Sequence, residues 1–78
     1  MNKDNSTLSR FIKEKRKQAN LTQPELAAKA GVGLRFVRDL EQGKATLKMD
    51  KVNQLLKLFG HELGPVPVNR KSLLHEES

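Results

Sequence analysis

The chain has 78 residues, a formal net charge of +6 and no cysteine. That leaves room for one small domain, burying only about 60% of its unfolded surface, and excludes a disulfide framework or thiolate zinc site. The basic balance suits nucleic acid or an anionic surface, yet no apolar run approaches the ~20 residues of a spanning helix.

Residues 1–6 are polar and patternless, as expected of a flexible N-terminal tail, and MNKDNSTLSR has no apolar stretch of a secretory leader. The cytoplasm is therefore the expected compartment. Ser6 or Thr7 is placed to cap a first helix running to about Ala19. Leu8, Ile12 and Ala19 share one face of it, with Arg16 among them. The other faces carry Arg10, Lys13, Lys15 and Lys17, relieved by Glu14, which reads either as a solvated surface or as a flank near phosphates. Phe11 lies off the stripe, and the pattern leaves open whether it is partly exposed or covers a subunit contact.

Asn20-Leu21 breaks the helix and Thr22 restarts it. Thr22-Gln23-Pro24-Glu25 fits a capping box, in which the Thr22 hydroxyl serves the Glu25 amide and Glu25 reaches back. Pro24 is tolerated because first-turn amides have no acceptor within the helix. This second helix ends near Ala30, and its small residues Ala27, Ala28 and Ala30 beside Leu26 allow another helix close approach. Gly31 supplies a left-handed turn, Val32 points inward and Gly33 opens a third helix, Leu34 to Gln42. Val37, Leu40 and Glu41 face inward there, whereas Arg35, Arg38, Asp39 and Gln42 recur at i, i+3, i+4 and i+7 on the outer face. Gly43 is placed as its C′ residue.

The loop KATLK follows, with Lys44 and Lys48 as candidates for DNA phosphate contact or, equally, as plain surface lysines. A fourth helix is expected from about Met49 to Phe59, with Met49, Val52, Leu55, Leu56 and Phe59 as its core stripe, Asp50 favouring its dipole and Gly60 ending it. Leu58 lies off that stripe and hints at a second apolar surface. Gly64, Pro65 and Pro67 limit residues 61–68 to an edge strand or an extended arm. Residues 69–78 read as a flexible C-terminal tail in which Leu73 and Leu74 are the anchoring candidates. The expected domain is thus 7–60.

LTQPELAAKAGV, followed by a helix ending in LEQGK, resembles the phage-repressor/Xre class of helix-turn-helix domains over Leu21–Gly60. The resemblance implies an all-α, four- to five-helix lambda-repressor-like DNA-binding domain, here with a short C-terminal extended arm, in the cytoplasm of a bacterium. A bare two-helix corner is common in proteins that bind no DNA; here the capping box, glycine turn, inward Val and inward Leu-Glu all fall in step. The physics agrees. A helix fits the major groove, where each base pair displays a distinct donor and acceptor pattern, and a crossed helix pair lets the first lie over the backbone while the second meets base edges. Arg35 and Arg38 can each donate two parallel bonds to guanine, worth about 1–3 kcal/mol of discrimination.

By the same resemblance, base contacts fall at Gly33, Leu34, Arg35, Arg38 and Asp39. Gly33 stands where a Ser or Thr cap is usual and has no side chain to read with, so the expected readers are Leu34, Arg35, Arg38 and Asp39. Leu34 replaces a polar reader and reaches only a thymine methyl, and Phe36, in place of a small hydroxyl, is expected to pack. Gln23 matches a residue that hydrogen-bonds a phosphate at a helix N-terminus. Arg16 and Glu41 both point inward, which is costly for lone charges. The resemblance implies that they pair as a structural salt bridge between the first and third helices.

The expected function is sequence-specific transcriptional regulation, as a repressor, by a homodimer on double-stranded operator DNA, since one reading helix covers only a few base pairs. Leu58, Leu63, Val66 and Val68 are the apolar residues left for the subunit contact, with the arm pairing as a short intermolecular strand. The chain also resembles HipB-like antitoxins, which repress their own operon and sequester a HipA-type kinase toxin; that resemblance adds such a kinase to the expected partners. The alternative is a protein-interaction module without a direct DNA role. No enzyme is expected: there is no Cys nucleophile or phosphate loop, and His61-Glu62 in an extended arm is not a catalytic arrangement. His61 and His75 lack ligand spacing, so neither a metal nor a cofactor is expected.

Overall fold

The computed structural model describes residues 7–67. The expected tail over 1–6, Val68 at the end of the arm and the tail over 69–78 lie outside them. Four helices follow in order: α1 Thr7–Gln18, α2 Gln23–Ala30, α3 Leu34–Glu41 and α4 Met49–Leu58. Among the described residues there is no strand. The fold is all-α, as read from the sequence. Thr7 is the first residue of α1 and not its cap, and Ser6, the other expected cap, lies outside the described residues.

Local chemistry explains the boundaries. At α2, Thr22 accepts from the Glu25 amide at 3.2 Å while its own backbone N–H donates to Glu25 Oε1 at 2.8 Å, completing the capping box. Gly31 ends the same helix at φ 75°, in the left-handed region. Its neighbouring carbonyls are claimed from another helix: Gln54 of α4 donates through Nε2 to Ala30 O at 3.0 Å and to Gly31 O at 2.9 Å. Gly33 caps α3 with extended backbone and no side chain, and Gly43 follows its C-cap, Gln42, at φ 82°.

α3 packs against both α1 and α2, and α4 packs against α2. Ile12 from α1, Leu26 and Ala27 from α2, Val37 and Leu40 from α3, and Val52, Leu55 and Leu56 from α4 form the buried centre. Leu8, Phe11, Leu21, Val32, Leu34, Phe36, Leu47 and Phe59 pack partly buried around it.

Two expected core positions are corrected. Ala19 is exposed, because α1 stops at Gln18 and the chain swings out through Asn20 at φ 58°. Met49 is 64% exposed: at the first residue of α4 it stands one turn before the buried stripe that begins at Val52. The missed member of the α1 stripe is Ser9, which is buried three residues before Ile12. A small hydroxyl suits such a close contact, but no hydrophobic pattern points to it.

Candidate nucleic-acid interface

The base of the site is a polar network between three elements. Arg16 of α1 donates from Nε to Glu41 Oε2 at 2.7 Å and from Nη2 to Glu41 Oε1 at 3.0 Å, a bidentate fork of the strong kind. Its third arm, Nη1, donates to the Leu21 carbonyl at 2.9 Å, in the turn before α2. Gln23, the first residue of α2, completes the set by donating from Nε2 to Glu41 Oε1 at 3.1 Å. Glu41 is only 2% exposed, so its charge is tolerable because three N–H groups converge on it. Among the described residues, every buried side-chain nitrogen or oxygen has a hydrogen-bond partner. The resemblance-based pairing of Arg16 with Glu41 is present; the inclusion of Gln23 is new.

That network, with Val37 and Leu40, fixes which way α3 turns. Arg35 and Arg38 are exposed on the outer face, as is Gln42 just past its end. Asp39 is half-buried, and its Oδ2 receives Lys44 Nζ at 3.5 Å, a partly solvated pair of small energetic weight. Leu34 is half-buried and packs on the core, so it offers only part of its side chain outward. Phe36 packs there too, as expected.

A shallow cleft of about 330 Å³ opens between the start of α3 and the loop leading to α4. Arg35, Asp39, Lys48 and Lys51 line it together with Phe36 and Leu47. The structure therefore brings Arg35, Asp39 and Lys48 to one place and joins Lys44 to it through Asp39. Lys51 was not singled out from the sequence, although its spacing of three from Lys48 on a helix start was a usable signal. Gln23 lies apart from this cleft, at the start of α2.

The expected subunit-contact residues sit elsewhere. Leu58, Leu63 and Val66 are 40%, 36% and 78% exposed. Residues 61–67 run without helix or strand, and the Leu63 amide donates to Asn53 Oδ1 of α4 at 2.7 Å. His61 meets Phe11 edge-on, with ring centroids 4.7 Å apart. Phe11, left open in the sequence, is thus half-buried beneath the arm. Phe11, Leu56, Leu63 and Val66 line an apolar groove of about 520 Å³ along this side. Among the described residues no group of His, Asp and Glu is placed to hold a metal ion, and no helix is long and apolar enough to cross a membrane.

Comparison with known proteins matches residues 12–64 to the model of the helix-turn-helix family. The uncharacterized HTH-type transcriptional regulator y4mF of Sinorhizobium fredii (strain NBRC 101917 / NGR234) is 58% identical over 45 residues. That alignment covers 58% of this chain and 59% of the length of the relative.

Proposed function

Since the chain belongs to the helix-turn-helix family, we propose that it is a double-stranded-DNA-binding transcription regulator that recognises an operator sequence as a repressor. The observation that carries this reading is the polarity of α3: Val37, Leu40 and Glu41 are buried while Arg35 and Arg38 are exposed on the opposite side. In a major groove, Arg35 and Arg38 read guanine edges, Asp39 accepts from a base amino group, and the exposed part of Leu34 meets a thymine methyl. Gln23, Lys44 and Lys48 hold the phosphates, which fixes register without selecting sequence.

The regulator acts as a homodimer, because two half-sites about one DNA turn apart give the specificity that one short helix lacks. Leu58, Leu63 and Val66 support this as exposed apolar residues near one another in the chain, and Val68 continues the series beyond the described residues. Sedimentation at micromolar concentration reads the outcome directly; a monomer throughout would remove the dimer from the reading. The partner of an antitoxin role would be a HipA-type kinase, supported by the compact domain followed by a short arm. Co-purification with a kinase encoded in the adjoining reading frame tests it, and a kinase-free neighbourhood with no captured partner would count against it.

Selection of bound fragments from a random duplex library tests the central claim. Arg35→Ala and Arg38→Ala are each expected to relax preference at one or two positions, by about 1–3 kcal/mol per base pair, while changing stability by less than about 0.5 kcal/mol. A chain that recovers no preferred sequence, or whose binding ignores salt concentration, is instead a protein-interaction module, since phosphate contacts impose a steep negative salt slope.

A further inference from the structure

We propose that Glu41 is a positioning residue for DNA binding: it pins the side-chain amide of Gln23 so that the remaining N–H of that amide is presented to a backbone phosphate. This inference rests on the DNA-binding reading and deepens it, since it concerns the same surface.

The argument begins with donor arithmetic. A glutamine amide has two N–H donors and one acceptor oxygen in a single plane. One donor of Gln23 goes to Glu41 Oε1 at 3.1 Å. An ionised carboxylate accepts only, so the nitrogen and not the oxygen of the amide must face it; this settles the orientation of the group. Glu41 itself is 2% exposed and held from the other side by the Arg16 fork, so it is a fixed point rather than a swinging acceptor. With one N–H anchored on a buried, immobile oxygen, the half-buried amide keeps a second N–H for which the described residues supply no acceptor.

The backbone around Gln23 supplies a second donor at the same place. In the first turn of α2, the capping box uses the N–H groups of Thr22 and Glu25, and Pro24 has none. Gln23 therefore contributes the first-turn backbone amide that the cap does not use, next to its own oriented side-chain N–H. Two donors at the positive end of a helix suit a singly charged phosphate oxygen. A pre-set donor also avoids the entropy of freezing a long side chain when the complex forms.

The buried Arg16–Glu41 pair therefore has two roles. It ties α1 to α3, and through Gln23 it sets the relation between the reading helix and one point on the DNA backbone. The salt bridge influences uniform affinity through that point and not the choice of base, because phosphate contacts carry no sequence information.

The test uses the full chain and the duplex recovered by fragment selection, with single phosphates replaced in turn by neutral methylphosphonates. Wild type is expected to lose about tenfold in affinity at one phosphate, the scale of one hydrogen bond to a charged group. Gln23→Ala is expected to lose the same factor on the unmodified duplex and nothing further at that phosphate. The paired replacement Arg16→Met with Glu41→Leu exchanges the ion pair for apolar side chains, a change that often preserves folding. It is expected to keep the base preferences and lose most of the sensitivity at that phosphate. Full sensitivity in the paired variant, or no phosphate coupled to Gln23 in wild type, overturns the proposal.

If the paired variant does not fold, hydrogen exchange of the Gln23 side-chain amide in wild type decides. Slow exchange of one of its two protons supports the pinning, and exchange of both at the rate of an exposed glutamine overturns it. Failure to recover any preferred duplex removes the DNA-binding reading itself, an outcome distinct from binding that is indifferent to Gln23.

Discussion

The corner formed by α2 and α3 and the arm after α4 both contain apolar residues, glycine and proline, but they handle them in opposite ways. In the corner, Leu26, Ala27, Val37 and Leu40 are buried and the buried carboxylate of Glu41 is matched by hydrogen bonds from Arg16 and Gln23. In the arm, every residue from His61 to Pro67 is exposed, and Val66 is 78% so. Pro24 occupies a first turn where an N–H is not needed, whereas Pro65 and Pro67 prevent the arm from joining a ladder as a central strand. The difference teaches that the corner is complete within one chain, while the apolar side chains of the arm are not satisfied by it.

The sharpest way to break this contrast is to open the corner. Leu40→Ala removes a side chain that is 1% exposed and is expected to cost about 2–5 kcal/mol, a large part of the stability of so small a domain. Chemical denaturation should show the midpoint collapse; a shift under half a unit of stability would mean the corner is not the centre of the fold. Arg16→Met is next. It leaves the Glu41 carboxylate buried without its fork, and the expected cost is about 3 kcal/mol. Base preferences measured on the folded fraction should be unchanged. A stable, folded Arg16→Met chain that no longer binds would contradict the structural assignment of this pair.

Gly31→Ala probes the turn itself. The residue sits at φ 75°, and an added Cβ would lie 3.0 Å from the Gln54 Nε2. A loss of about 1–2 kcal/mol is expected from the backbone alone, and thermal melting resolves it. The smallest effect on folding is expected in the arm. Val66→Asp should change monomer stability by less than about 0.5 kcal/mol, while shifting self-association by at least tenfold in a dilution series. An arm change that unfolds the monomer would erase the distinction between the two regions.

How much of this was legible follows the same division. Thr22 and Glu25, the glycine at 31 and the inward pair Leu40-Glu41 were readable because each satisfies a local rule within a few residues. Both ends of α2 follow from the capping box and the left-handed glycine. Misplaced Ala19 and Met49 belong to helix ends, where a periodic stripe continues on paper after the backbone has turned away or before the core begins. Other features needed distance information. Gln54 reaches 24 residues back to Ala30, Gln23 reaches 18 forward to Glu41, and the His61 ring finds Phe11 across the fold. No periodicity encodes such meetings. Of the candidate residues, Arg35 and Arg38 were placed outward by spacing alone, but the engagement of Asp39 with Lys44 and the approach of Lys51 to the same cleft depend on a loop path that spacing does not fix.

The two bonds from Gln54 to the end of α2 have an implication for how portable the motif is. The junction of α2 with α3 is braced by a strut from α4, outside the two-helix corner itself. A transplant of residues 22–43 into a foreign scaffold would carry the cap and the glycine but leave two carbonyls without that brace. Such a chimera would need a surrogate amide at the matching height before its grafted helices held the native crossing.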